Sequence, residues 1–197
     1  MSTKLVLASA SPRRKELLQQ IGVEFDVFPV DMDESMLKGE GVLQHVQRLA
    51  LAKARLGFRR LSAQNGEVAV LAADTMVEID GEVLGKPEDR QQAAVFLARL
   101  SGRKHKVHTA VAVVTADSEL KSISSSEVEF MAMTAQQIAS YVDTGEPMDK
   151  AGAYAIQGVA GQFVVNLDGS YSGVVGLPLY ETARLLSACG ISSSITV

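Results

Sequence analysis

The chain has 197 residues, 47% of them apolar, which is the size and composition of one compact domain with a substantial core. Its net charge of -4 argues against broad, non-specific binding to nucleic acid, while a small anionic ligand needs only a local cluster of cations. A single cysteine, Cys189, leaves no internal disulfide to form and fits a reducing, cytoplasmic compartment. The apolar stretch within Met1 to Ala8 is too short for a secretory signal core, and no run reaches the ~20 apolar residues of a membrane span, so neither secretion nor membrane insertion is expected.

In chain order, residues 4–8 read as a short buried strand. Ser11-Pro12 then opens a helix that runs to about Gln20 and stops at Gly22. Residues 23–30 read as a second strand, followed by an acidic loop over 31–41 and a long helix over 42–62. Residues 67–73 and 75–79 read as β-structure around Asp74, and Asp80-Gly81 is a strong hairpin signal. A helix over 88–100 closes at Ser101-Gly102. The valine-rich stretches 106–115 and 122–131 read as neighbouring strands, and 134–141 as a helix. Residues 145–161, rich in Gly and Ala, carry no clear pattern. A strand over 162–167, a turn at Asp168-Gly169 and a helix over 177–189 complete the chain, with fraying expected in the Ser192 to Ser194 tail. Strands and helices alternate but two hairpins interrupt them, so the expected class is α/β, with a mixed twisted sheet and helices on both faces.

Several residues suggest chemistry. Ser11-Pro12-Arg13-Arg14-Lys15 puts three cations in the first turn of a helix, where the macrodipole is already positive. Either an anion such as phosphate docks there, or the cations pair with neighbouring carboxylates or lie in solvent. Lys53 shares the stripe of Val46, Leu49, Ala50 and Leu56 that should face the core, so its ammonium either snorkels to an edge or reaches a phosphate or carboxylate. Asp74 ends the apolar run Val68 to Ala73. A carboxylate so placed either caps a strand-to-turn junction or binds metal, pairs with a cation or serves catalysis. Gly85-Lys86-Pro87 sets a lysine in a rigid turn, and Glu146 to Gly158 combines small residues with the Gln157 carboxamide, which both donates and accepts. His45, His105 and His108 lack metal-ligand spacing and no Walker-type loop is present, which sets aside zinc and P-loop mechanisms.

Ser9-Ala10-Ser11-Pro12-Arg13-Arg14, Ala73-Asp74-Thr75, Gly85-Lys86-Pro87, Ser101-Gly102, Asp149-Lys150-Ala151-Gly152-Ala153-Tyr154 with Ile156-Gln157-Gly158, and Val175-Gly176-Leu177-Pro178-Leu179 together resemble the Maf family of nucleoside triphosphate pyrophosphatases. Each motif is weak singly; the ordered set spans nearly the whole chain. The resemblance implies one Maf-like domain over 1–197, similar to the inosine triphosphate pyrophosphatase type, with two lobes around a central cleft. It implies a divalent cation (Mg, Mn or Co), a small-molecule nucleotide as partner, no nucleic acid or membrane partner, and a homodimer. By resemblance Asp74 accepts the proton of the attacking water and Glu34 joins it in positioning metal or water. Lys53 and Lys86, with Ser11, Arg13 and Arg14, hold the triphosphate. Arg13, Thr75 and Gln157 match the subgroup acting on dTTP and UTP, with modified pyrimidine triphosphates as further candidates, rather than the subgroup acting on methylated guanine nucleotides. The rival reading is a nucleotide-binding regulator of cell division, against cleaning of the nucleotide pool.

Overall fold

Residues 3–62 and 67–193 are described by the computed structural model, whose mixed α/β architecture contains a seven-stranded sheet. Met1 and Ser2 at the N-terminus, and Ser194 of the tail expected to fray, lie outside the described residues. The chain divides into two compact units. One comprises 1–74, 109–124 and 176–197, the other 75–108 and 125–175.

In the first unit, β1 (Lys4–Leu7) pairs in parallel with β2 (Asp26–Val27) and with the start of β3 (Val68–Ile79), in the register Leu5↔Ala69 and Leu7↔Leu71. Leu5, Val6 and Leu7 are all buried, as is every residue of Val68 to Asp74, so these strands are covered on both faces. That explains their unbroken apolar runs. β2 is far shorter than the stretch 23–30 read as strand. Its partner β1 has only four residues, and Pro29 brings no N–H to continue the ladder. The first helix, α1 (Pro12–Gln20), starts with proline at its first position, as expected, but the Ser11 side chain makes no capping hydrogen bond. Helix α2 (Val42–Ser62) buries His45, Val46, Leu49, Ala50, Lys53, Ala54, Gly57 and Leu61. A Cβ at Gly57 would stand 2.9 Å from Val70 Cγ1, so only glycine lets the helix lie this close to the sheet. The last helix, α6, spans Leu179–Ala188. It begins two residues later than the pattern suggested because Leu177 precedes a proline, which disfavours helical backbone there.

In the second unit, the far end of β3 turns through Asp80 (φ 56°) and Gly81 (φ 78°) into the antiparallel β4 (Glu82–Leu84), with Ile79 facing Glu82. Two positive φ values in a two-residue loop are the type I′ hairpin that Asp-Gly favours. Helix α3 (Arg90–Leu100) starts two residues after the expected Glu88 because Asp89 caps it, its Oδ1 accepting from Gln92 N–H at 2.7 Å. Helix α4 (Ala135–Asp143) has a reciprocal capping box between Thr134 and Gln137. Residues 145–161, without pattern in the sequence, form short 3₁₀ turns at Glu146–Asp149, Ala151–Ala153 and Val159–Phe163. The five-residue α5 (Tyr171–Val175) escaped sequence reading because Gly173 breaks any periodicity. Strands β5 (Lys104–Val114) and β6 (Glu119–Phe130) supply residues to both units, and β6 pairs antiparallel with β7 (Val164–Asp168).

The second unit's core gathers Leu97, Leu100, Phe130 and Tyr154. Against them His105 is buried, its Nε2 hydrogen-bonded to the Tyr154 hydroxyl at 2.8 Å and its ring edge-on to Phe130 and Tyr154. Burial pulls the His105 pKa down to about 4. The unfolded chain therefore binds a proton at this residue that the folded chain refuses between about pH 6.5 and about pH 4. Stability contributed by neutral His105 is complete above that window and is lost as pH falls through it, by about 3 kcal/mol in all. Urea denaturation of His105→Gln at several pH values is expected to show a curve flatter than wild type by that amount across the window. Identical slopes would mean that His105 titrates normally in the fold.

Candidate functional site

The first unit builds a charged cluster from three separate segments. Strand β3 delivers Asp74, 6% exposed, and α2 delivers Lys53, 8% exposed. The Lys53 ammonium stands 2.7 Å from Asp74 Oδ1 and 2.6 Å from Glu34 Oε1. Of the fates open to a lysine on a core-facing stripe, this one has taken carboxylate partners. Asp74 is correspondingly no strand cap: β3 continues straight through it. The Glu34 side chain, from the acidic loop, remains half-exposed at 53%.

The loop that carries Glu34 is fastened to α2. Arg48 donates from Nε to Glu40 Oε1 at 2.6 Å and from Nη2 to Glu40 Oε2 at 2.8 Å, and Nη2 also donates to the Ser35 carbonyl at 3.0 Å. Glu40 Oε2 accepts the Leu37 N–H at 3.1 Å and lies 2.8 Å from His45 Nδ1. Hydrogen bonding from Arg48, above all, holds the Glu40 carboxyl far below the ordinary carboxylate range. Ser35 is thereby tied down one residue from Glu34. Sequence reading missed Glu40 and Arg48, because a loop closing onto a helix leaves no periodic signal.

At the start of α1, Arg14 donates from Nε to the Gly176 carbonyl at 2.9 Å and from Nη1 to Ser9 Oγ at 3.4 Å. Ser9 Oγ also accepts the Ser11 N–H at 3.2 Å. Burial lowers the Arg14 pKa, with the fields of Asp74 and Glu34 opposing the shift and that of Arg13 adding to it. Arg14 thus feels the charges of Asp74, Arg13 and Glu34, and Ser9 and the Gly176 carbonyl join the candidates as fixed supports. Ser11 and Arg13 are half-buried.

The second unit holds the remaining candidates. Thr75 follows Asp74 in β3 and is half-buried, while Lys86 and Gln157 are exposed. The Gly85 carbonyl accepts the Gly152 N–H at 3.0 Å, tying the turn of Lys86 to the segment that begins at Asp149. Gly152 (φ 69°) packs where a Cβ would come within 2.9 Å of Val77 Cγ2, and Ala153 (φ 60°) is one of the described non-glycine residues with left-handed backbone. Gln157 lies in a turn closed by the Gly158 N–H on the Ala155 carbonyl at 3.0 Å.

No helix among the described residues is long and apolar enough to cross a membrane.

Comparison with known proteins places these residues in a lineage. A dTTP/UTP pyrophosphatase from Methylobacillus flagellatus is 51% identical over 190 residues, covering 96% of this chain and 94% of that protein. Proteins of the same name from Aromatoleum aromaticum and Pseudoalteromonas atlantica are 48% and 50% identical, covering 96% and 95% of this chain and 97% and 98% of theirs. Among solved structures, a nucleoside-triphosphatase / dITP/XTP pyrophosphatase from Mycobacterium abscessus aligns with a TM-score of 0.43 at 20% identity, over 66% of this chain and 76% of that one. The model of the Maf family, described as Maf-like protein, matches residues 4–189. With that match and half of its positions shared with relatives along nearly their full lengths, the chain belongs to the Maf family.

Proposed function

We propose that this chain is a nucleoside triphosphate pyrophosphatase that hydrolyses dTTP and UTP to the monophosphate and pyrophosphate. The observation that carries the reading is the buried Lys53 ammonium bridging the Asp74 and Glu34 carboxylates. A carboxylate and an ammonium held together out of water, Asp74 and Lys53, with the half-exposed Glu34 closing on the same ammonium, are costly unless put to use. The name shared by relatives at 48–51% identity supplies the substrate class.

In the reaction, a water oxygen bonds to the α-phosphorus, the bond from that phosphorus to the α–β bridging oxygen breaks, and pyrophosphate leaves. Asp74 takes the proton of the attacking water. Lys53, on Asp74 Oδ1, fixes the direction of that carboxylate, and its positive charge offsets the charge that develops on the phosphoryl oxygens. Arg13 and Lys86, with Ser11 and Arg14, take the triphosphate, and Thr75 serves the choice of substrate. Gln157 offers both a donor and an acceptor to the O4 and N3–H edge of uracil or thymine.

The donor set also fits a divalent cation such as Mg, Mn or Co. Asp74 and Glu34 each bring a hard oxygen to the Lys53 ammonium, which sets two carboxylates side by side as candidate cation ligands. Among the described residues no group of three or more His, Cys, Asp or Glu is gathered that could hold a metal ion. Two carboxylates completed by phosphate oxygens are the usual protein contribution to a Mg²⁺ site. When bound, the ion would neutralise phosphate charge.

Incubation with dTTP, UTP, CTP and GTP in the presence of Mg²⁺ is expected to release pyrophosphate from dTTP and UTP. A preference for GTP would overturn the pyrimidine assignment. Tight binding of all four without release would instead make the chain a nucleotide-binding regulator.

A further inference from the structure

We infer that Glu146 positions Gln157, and that this positioning, rather than Gln157 alone, sets the choice between a 4-keto pyrimidine and its 4-amino counterpart. The inference rests on the assignment of Gln157 as the residue that reads the base. A carboxamide tells uracil from cytosine only by the direction in which its N–H and C=O point, so the backbone beneath it must be held still. Gln157 is exposed, and its own turn is closed by one backbone hydrogen bond, from Gly158 N–H to the Ala155 carbonyl.

Glu146 supplies the missing rigidity. Its Oε2 accepts the Val159 N–H at 3.0 Å, and its Oε1 accepts the Ala160 N–H at 3.3 Å and the Tyr141 hydroxyl at 2.7 Å. The Tyr141 oxygen in turn accepts the Ala155 N–H at 3.3 Å. One carboxylate and one phenol thus grip the chain on both sides of Gln157, at residue 155 and at residues 159 and 160. Charge-assisted bonds of this kind are stronger than neutral ones, and linked bonds reinforce one another. Tyr141 is 2% exposed, and burial followed by the neighbouring Glu146 raises its pKa, which keeps the hydroxyl protonated as a donor. Gly158 records how close the carboxylate comes: a Cβ there would lie 2.2 Å from Glu146 Oε2. Only glycine beside Gln157 allows the grip.

A purely structural role, capping the turn Val159–Phe163, predicts lower stability and an unchanged choice of base. The test is therefore the ratio of kcat/KM for UTP over CTP, measured with melting temperature in Glu146→Gln, Tyr141→Phe, Gln157→Ala and the double variant Glu146→Gln/Gln157→Ala. Gln157→Ala defines the ratio without base reading. Glu146→Gln, close in shape but uncharged, is expected to lower the ratio by on the order of tenfold, through a higher KM for UTP with kcat largely kept. Tyr141→Phe should move it in the same direction, and the double variant should fall no further than Gln157→Ala. If Gln157→Ala collapses the ratio while Glu146→Gln and Tyr141→Phe keep it, the positioning role is overturned and the reading of Gln157 stands. If Gln157→Ala itself keeps the ratio, both fail. Should Glu146→Gln not fold, Tyr141→Phe carries the same comparison.

Discussion

Asp74→Asn is expected to abolish pyrophosphate release while leaving the fold and the affinity for nucleotide largely intact. Asparagine matches aspartate in shape, its side-chain oxygen can still accept from the Lys53 ammonium, and that ammonium keeps Glu34 as a counter-charge, so the fold is kept at a smaller loss of stability than when the lysine is removed. What it cannot do is take a proton from water. General-base assistance is typically worth about 10²–10⁴ in rate, so turnover should fall by at least two orders of magnitude. Pyrophosphate release under saturating dTTP, set beside nucleotide binding by calorimetry, separates the two quantities. Undiminished turnover would remove Asp74 from the role of proton acceptor, and equal loss of binding and turnover would make it a binding residue.

Lys53→Met should differ from it in losing stability as well as turnover. Methionine fills much of the same volume but leaves the Asp74 carboxylate, 8% exposed in its side chain, without the ammonium 2.7 Å away. Removing one partner of a buried pair costs about 3–5 kcal/mol, because the remaining charge is stranded away from water. For a chain of this size each kcal/mol is about 2–4 °C of melting temperature, so a fall on the order of 10 °C is expected. The second contact, to the half-exposed Glu34, adds little, since solvent screens it. The double variant Lys53→Met/Asp74→Asn removes both charges and should recover most of the lost stability while remaining inactive. A Lys53→Met protein as stable as wild type would show that Asp74 is satisfied without its lysine.

The parts of this site legible in the sequence are those governed by short-range pattern. The stripe Val46, Leu49, Ala50 placed Lys53 toward the core, and the run Val68 to Ala73 placed Asp74 at a buried position; both are buried. Neither pattern could say that the two side chains meet, because the pairing depends on which strand α2 covers. Asp-Gly marked its hairpin correctly, since φ preference is local. By contrast, Glu34 could be named only from family resemblance, as one carboxylate among several in an acidic loop. Its anchorage through Glu40 and Arg48 joins a loop to a helix eight residues on. Glu146 was visible only as part of a segment rich in small residues, because its partners are backbone N–H groups that any sequence possesses. Short elements were read least well, and β2 and α5 owe their extent to partner length and neighbouring turns rather than to periodicity.

The bare backbone at Gly57 has a bearing on chemistry one helical turn away. Position 57 rests on Val70, and Lys53, four residues earlier on the same side of α2, extends to Asp74, four residues later in β3. The helix therefore works as a lever whose fulcrum is a missing side chain. A methyl group at that point would stand 2.9 Å from Val70 Cγ1, and wherever α2 rather than the valine yields, the ammonium is drawn back from the carboxylate it serves. A residue with no functional group thus governs how far a functional one can reach.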